Sequence, residues 1–163
     1  YTLSLHDALP ISIGYIFEII ESDYSTNLQY AISADTVDEN GEITMEDPFD
    51  VGRTLLLTYN TSENTPNEIF VDDLGNFLEY QVKANSNISN LTFSASEATD
   101  YYNGIAVDIT DGKILKGAAV TPSGAVADSI VFYVVFEDDK YLGKYWDKIR
   151  VSGFRYTGLA ADD

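Results

Sequence analysis

The chain has 163 residues, 45% of them hydrophobic and 22% charged, a length and balance that suit one folded domain around a single core. Its 27 Asp and Glu against 9 Lys and Arg give a formal charge of −18, and such a field repels nucleic acid and anionic lipid surfaces. Cysteine is absent and the one histidine is His6, so beyond that residue there are no thiolate nucleophiles, disulfides, Ser-His-Asp triads or His/Cys zinc sites. Only all-oxygen metal sites remain.

Tyr1 to Ser12 read YTLSLHDALPIS, which matches codon for codon the translation of a short-read sequencing adapter. We expect residues 1–12 to be a non-native scar and residues 13–163 to form the domain, any signal peptide or lipid-attachment site having been lost upstream.

From Ile13 onward, β-branched and aromatic residues alternate with polar ones, and Asp, Asn and Gly clusters interrupt them at short intervals. The pattern predicts strands over 13–21, 27–34, 53–60, 67–72, 77–84, 90–95, 104–110, 113–120, 128–137 and 148–157. The longest unbroken apolar run, Ile130 to Phe136, is too short to span a bilayer as a helix.

Taken in order, the acidic loop Asp38-Glu39-Asn40-Gly41-Glu42 has part of a calcium-loop pattern. Thr36 stands where the first carboxylate belongs and Asp47 where the closing Glu belongs, so a plain acidic hairpin turn is preferred. Asp72-Asp73-Leu74-Gly75-Asn76 reads as a longer hairpin loop. Ser96 to Tyr102 could form one helical turn with Ser96 as its N-cap. Asp111-Gly112, between two apolar runs, is the strongest type I′ hairpin signal, and Pro122-Ser123-Gly124 is a further turn. Short connections throughout predict an all-β, antiparallel up-and-down meander that closes into a small barrel and so removes its edges.

Few side chains carry strong chemistry. The pairs Asp72-Asp73 and Asp138-Asp139 could supply a glycosidase acid and nucleophile, but adjacent acids at strand ends are more often solvated turn residues. Counting by twos along the last strand places Arg155 on the face of Ile149, Val151 and Gly153, turned toward the interior. There it would need protein acceptors or the head group of a ligand. The stripes Leu78/Tyr80/Val82/Ala84 and Ile130/Phe132/Val134/Phe136 are either a cavity wall or plain core. Trp146, with Tyr141 and Tyr145 in a lysine-bearing loop, is a contact surface or a barrel cover.

Three stretches, Asn67 to Phe77 (NEIFVDDLGNF), Asp111 to Ala118 (DGKILKGA) and Asp128 to Tyr133 (DSIVFY), are followed by Ser152 to Gly158 (SGFRYTG). Together they resemble the lipid-binding putative hydrolases, cell-envelope lipoproteins of gut bacteria, over nearly everything from Gly14 to the end. The resemblance implies a lipocalin-like or calycin-like barrel, export to the periplasm, outer membrane or cell surface, and a lipid ligand. Barrels of that kind tend to open with Gly, any residue, Trp and to close with a C-terminal cation on the indole. Here Gly14 is followed by Tyr15 and Ile16, and Arg155 holds the cation's position, with Tyr15 or Phe17 left to replace the indole.

The reading that follows is a non-catalytic, exported binding module for a small apolar, lipid-like ligand, with Leu78, Tyr80, Phe132 and Val134 as wall and Arg155 as polar anchor. No cofactor and no metal are expected, and the membrane would be touched only through the lost N-terminal lipid anchor. The alternatives are a partner-binding envelope lipoprotein with a filled barrel and, last, a carboxylate-dependent hydrolase.

Overall fold

The computed structural model describes residues 28–48, 50, 52–137 and 148–162. The predicted strand over 13–21, Tyr15, Phe17, His6, Asp138-Asp139 and the Tyr141, Tyr145, Trp146 loop lie outside them.

The described chain contains nine strands: β1 (Leu28–Val37), β2 (Ile43–Met45), β3 (Thr54–Asn60), β4 (Glu68–Asp72), β5 (Gln81–Asn87), β6 (Thr92–Thr99), β7 (Ala106–Val120), β8 (Val126–Phe136) and β9 (Ile149–Arg155). Every pairing is antiparallel, and consecutive strands from β3 to β9 are neighbours. β1 pairs with β3 on one side and with β9 on the other, so eight strands close into an up-and-down barrel. β2 is an extra strand: where β3 leaves β1 at Ile32, β2 takes over the same edge at Thr36 and Val37.

Alternation decides which side chains face inward. β8 shows it plainly, with Ile130, Phe132, Val134 and Phe136 buried and the residues between them half-buried. Inward residues from every barrel strand form one core cluster, from Tyr30 and Ile32 through Leu56, Val71, Val82, Phe93, Val107 and Ile109 to Phe132 and Val151. The rings of Tyr80 and Phe136 meet edge to face with centroids 5.8 Å apart, although Tyr80 leads into β5, which is not a neighbour of β8 in the sheet. At that level the two side chains reach each other across the interior.

The closing seam depends on a missing side chain. A Cβ on Gly153 would lie 2.0 Å from the Ala31 carbonyl oxygen, so β9 lies against β1 there only because position 153 has none.

Two local expectations are overturned. Asp111-Gly112 is not a hairpin turn; it sits inside the 15-residue strand β7. Asp111 has φ +55°, the β7–β8 register shifts between Thr110 and Lys113, and Gly112 pairs with Phe93. A Cβ on Gly112 would be 2.4 Å from the Phe93 carbonyl oxygen and 2.6 Å from its ring. The positive φ and the glycine therefore make a bulge over which Phe93 packs, while β8 is long enough to bond both halves of β7. The helical turn at Ser96 is also absent, because β6 runs on to Thr99 with a second irregularity at Glu97 (φ +48°). The turn that follows is organised by Asp100, whose carboxylate accepts the N–H groups of Tyr102 (3.0 Å) and Asn103 (3.1 Å).

Candidate functional site

Strand direction gives the barrel two ends. β9 finishes, and β7 turns into β8, at one of them, here termed the hairpin end. The connections after β4 and β6 lie at the opposite end.

At the hairpin end, Arg155 pairs with Tyr30 and follows Val151 and Gly153 on the inward face. Tyr30 and Val151 are fully buried, but Arg155 is exposed. The expected burial of the guanidinium is thus corrected: the alternation is right, yet β9 ends here and leaves the side chain at the mouth. An open concavity of about 460 Å³ lies there, lined by Gly117, Val126, Asp128, Arg155, Tyr156 and Thr157 among others. The chain after β9 folds back beside it. Asp162 accepts the Ser123 N–H (2.7 Å) and hydroxyl (3.1 Å) together with the Thr157 hydroxyl, which outweigh its burial and hold its carboxyl below the usual range.

Of the other predicted wall residues, Tyr80, Phe132 and Val134 are fully buried in the core cluster and Leu78 packs half-buried against it. Tyr80 meets Phe136, and Phe132 meets Phe93 with ring centroids 5.5 Å apart. Leu78 belongs to the connection at the opposite end, so the barrel's length separates it from Arg155. A second concavity, of about 350 Å³, is lined by Asn85, Asn87, Phe93, Asp111 and Lys113 among others.

The opposite end holds what the residue pattern concealed. Asp72 and Asp73, expected in solvent, are both buried. Asp73 accepts five backbone N–H groups: Gly75 and Tyr80 at one oxygen (2.9 and 3.0 Å), and Phe77, Leu78 and Glu79 at the other (3.3, 2.7 and 2.8 Å). Asp72 accepts the hydroxyls of Tyr59 (2.8 Å) and Tyr102 (2.7 Å), the Leu74 N–H (2.8 Å) and the Gln81 side-chain amide (3.1 Å). Asp100 adds the Gln81 N–H (2.9 Å) to its own turn. The phenols respond in turn. Loss of water and the Asp72 hydrogen bond push Tyr102 up to about 12 and Tyr59 higher still. Burial, with the charges of Asp73 and Asp72 behind it, raises Tyr80 well above the ordinary phenol. The signal that could have located this cage is the density of N–H donors in a loop containing Leu74, Gly75 and Glu79, all three at positive φ.

The acidic loop between β1 and β2 likewise bonds to itself. Asp38 accepts the N–H groups of Asn40 (2.8 Å) and Glu42 (2.9 Å) and closes a tight hairpin turn. Hydrogen bonding led by Glu42 holds its carboxyl below the usual range.

Closed antiparallel barrels around a largely apolar core are a common architecture of small-ligand binding proteins, and this one carries an exposed arginine beside a surface concavity at one end. The chain matches the family model described as lipid-binding putative hydrolase over residues 21–160, and it belongs to that family. No curated protein matches it.

Proposed function

We propose that this protein is an exported, non-catalytic binding module of the cell envelope for a small apolar, lipid-like ligand. The ligand enters at the hairpin end, its hydrocarbon part against the inner face and its polar end beside Arg155. The observation that carries the reading is the run of inward positions on β9: Ile149 and Val151 are buried and apolar, and Arg155 then opens into the 460 Å³ concavity. One element thus joins an apolar interior to a cationic mouth. Membership of a lipid-binding family supports the ligand class, and the resemblance to cell-envelope lipoproteins supports export.

The carboxylates support the non-catalytic part of the reading. A hydrolytic acid must present an oxygen to substrate. Asp72, Asp73 and Asp100 instead face the N–H, hydroxyl and amide groups of their own loops. The test is displacement of a fluorescent fatty acid from the full chain, backed by native mass spectrometry of the protein as purified. Saturable displacement, or a bound mass in the lipid range, is the expected result. Absence of both would overturn the reading.

A second reading, a filled barrel that binds a protein partner, is favoured by the Tyr80–Phe136 contact across the interior and by the exposed Val120 and Val126 at the β7–β8 hairpin. Capture of an envelope protein by the wild type but not by a Val120→Ser/Val126→Ser variant, with no lipid bound, would select it.

A further inference from the structure

The inner wall of β3 and β5 is not wholly apolar. Thr58 and Asn60 stand at successive inward positions of β3, and Tyr80 leads into β5 on its inward face. All three are buried. Thr58 Oγ1, Asn60 Oδ1 and Tyr80 Oη have no hydrogen-bond partner among the described residues. The register puts them on one wall: Thr58 is beside Val71, which is beside Val82, and Asn60 is beside Ile69, which is beside Ala84. Tyr80 is the next inward residue before Val82. A buried polar atom stripped of water and given no partner is costly, and native folds rarely keep one without a reason. Three on one wall contrast with Asp73 beside Tyr80, whose carboxylate alone takes five N–H groups.

The chemistry of the three atoms is specific. The Asn60 amide nitrogen donates to Asn64 Oδ1 (2.6 Å), which leaves Asn60 Oδ1 as an acceptor in want of a donor. The Thr58 and Tyr80 hydroxyls can donate and accept. Charge decides the rest. No lysine or arginine is buried among the described residues, and the buried Asp73 lies directly opposite Tyr80, bonded to its backbone. A carboxylate or phosphate drawn into this wall would leave water, find no counter-charge and face an existing anion.

We propose that the β3–β5 wall selects an uncharged lipid bearing free hydroxyl groups, of the monoacylglycerol or long-chain alcohol class, over the corresponding fatty acid. A ligand hydroxyl donates to Asn60 Oδ1, and Thr58 and Tyr80 bond the neighbouring oxygens. The proposal rests on the apolar-ligand reading above and narrows it: Arg155 marks the mouth through which the ligand enters, and the hydroxyl groups of an uncharged lipid pass beyond it to the wall.

The experiment is a competition on the full chain at mildly alkaline pH, where the fatty acid is ionised. Monooleoylglycerol and oleate, both below their aggregation thresholds, displace the neutral dye N-phenyl-1-naphthylamine. Monooleoylglycerol should act at a concentration about tenfold lower, the worth of one good hydrogen bond. Tyr80→Phe and Thr58→Val, which remove a hydroxyl and keep the shape, should each weaken monooleoylglycerol by about the same factor and leave oleate unmoved. Equal displacement by the two lipids overturns this proposal and leaves the apolar-ligand reading standing. Displacement by neither overturns both. Variants that bind monooleoylglycerol like the wild type, especially if their melting temperature rises, would make the three atoms ordinary core. Should a variant fail to fold, the wild-type ratio of the two lipids decides.

Discussion

Asp73 and Tyr80 are joined twice: the Asp73 N–H donates to the Tyr80 carbonyl (3.1 Å), and the Tyr80 N–H donates back to the Asp73 carboxylate (3.0 Å). Between these two bonds the connection from β4 to β5 wraps a fully buried carboxylate. Its N–H groups point inward to one side chain, which lets Leu74 and Glu79 hold positive φ. Replacing Asp73 by Ala orphans five donors, and the expected loss is about 3 kcal/mol of unfolding free energy. Asp73→Asn keeps one acceptor oxygen and should lose less. Urea denaturation measures both, and amide exchange should rise first at residues 75–80.

The same end of the barrel should show itself in alkali. An unfolded tyrosine titrates near 10.0, whereas Tyr102 is held up to about 12 by loss of water at its hydroxyl and then by its bond to Asp72. The folded state therefore keeps a proton that the unfolded state gives up. The contribution is complete below pH 10 and is lost as pH rises from there through the folded value. Tyr59 and Tyr80 shift in the same direction. Tyrosinate absorbance of the folded protein should lag that of the unfolded chain over this window. Asp72→Asn should bring the Tyr102 step back toward the ordinary phenol; an unmoved step would mean that Asp72 does not set it.

The barrel was legible because its signal is additive. Each strand repeats the same inward-outward alternation, and closure follows once short connections make neighbours of successive strands. Asp111-Gly112 misled because a positive φ before a glycine serves a bulge as well as a turn, and what separates the two is the length of the partner strand β8, a non-local fact. Arg155 was assigned to the right face, but its depth depends on where β9 stops relative to β7 and β8, and alternation carries no depth. Asp72 and Asp73 looked like turn residues because burial of a carboxylate is decided by the backbone that wraps it. The donors are main-chain N–H groups, and the identities of Phe77, Leu78 and Glu79 do not reveal them.

Closure makes its own prediction at Gly153. A methyl group there would meet the Ala31 carbonyl oxygen at 2.0 Å and the Ile32 Cα at 2.7 Å, both backbone atoms that cannot rotate away. Gly153→Ala should force β1 and β9 apart and cost about 3 kcal/mol. Ser152→Ala, next to it but with room for its side chain, should change stability by about 0.5 kcal/mol or less. The readout is the denaturant midpoint together with amide exchange in Tyr30 to Thr36 and Ile149 to Arg155, the two strands of the seam. A midpoint unchanged in Gly153→Ala would mean that the seam is looser than this register.

Arg155 allows the two roles of a mouth cation to be separated. Were the guanidinium part of the core, its loss would weaken the fold; exposed as it is, Arg155→Gln should leave the denaturant midpoint within about 0.5 kcal/mol of the wild type. Binding should respond differently. A carboxylate at the mouth loses a charged hydrogen-bond donor, so oleate affinity should fall about tenfold. Asp128 lines the same concavity and opposes any anion there, while its carboxylate also accepts the Gly117 N–H (2.8 Å). The residual affinity of Arg155→Gln should therefore favour uncharged lipids over oleate more strongly than the wild type does. The salt response of oleate should differ between wild type and Arg155→Gln, because salt screens the guanidinium's attraction only where the guanidinium is present. It screens the repulsion by the net charge of −18 in both, while monooleoylglycerol is nearly unaffected in either. Both affinities unchanged in Arg155→Gln would remove the arginine from the site and place the ligand elsewhere on the inner face.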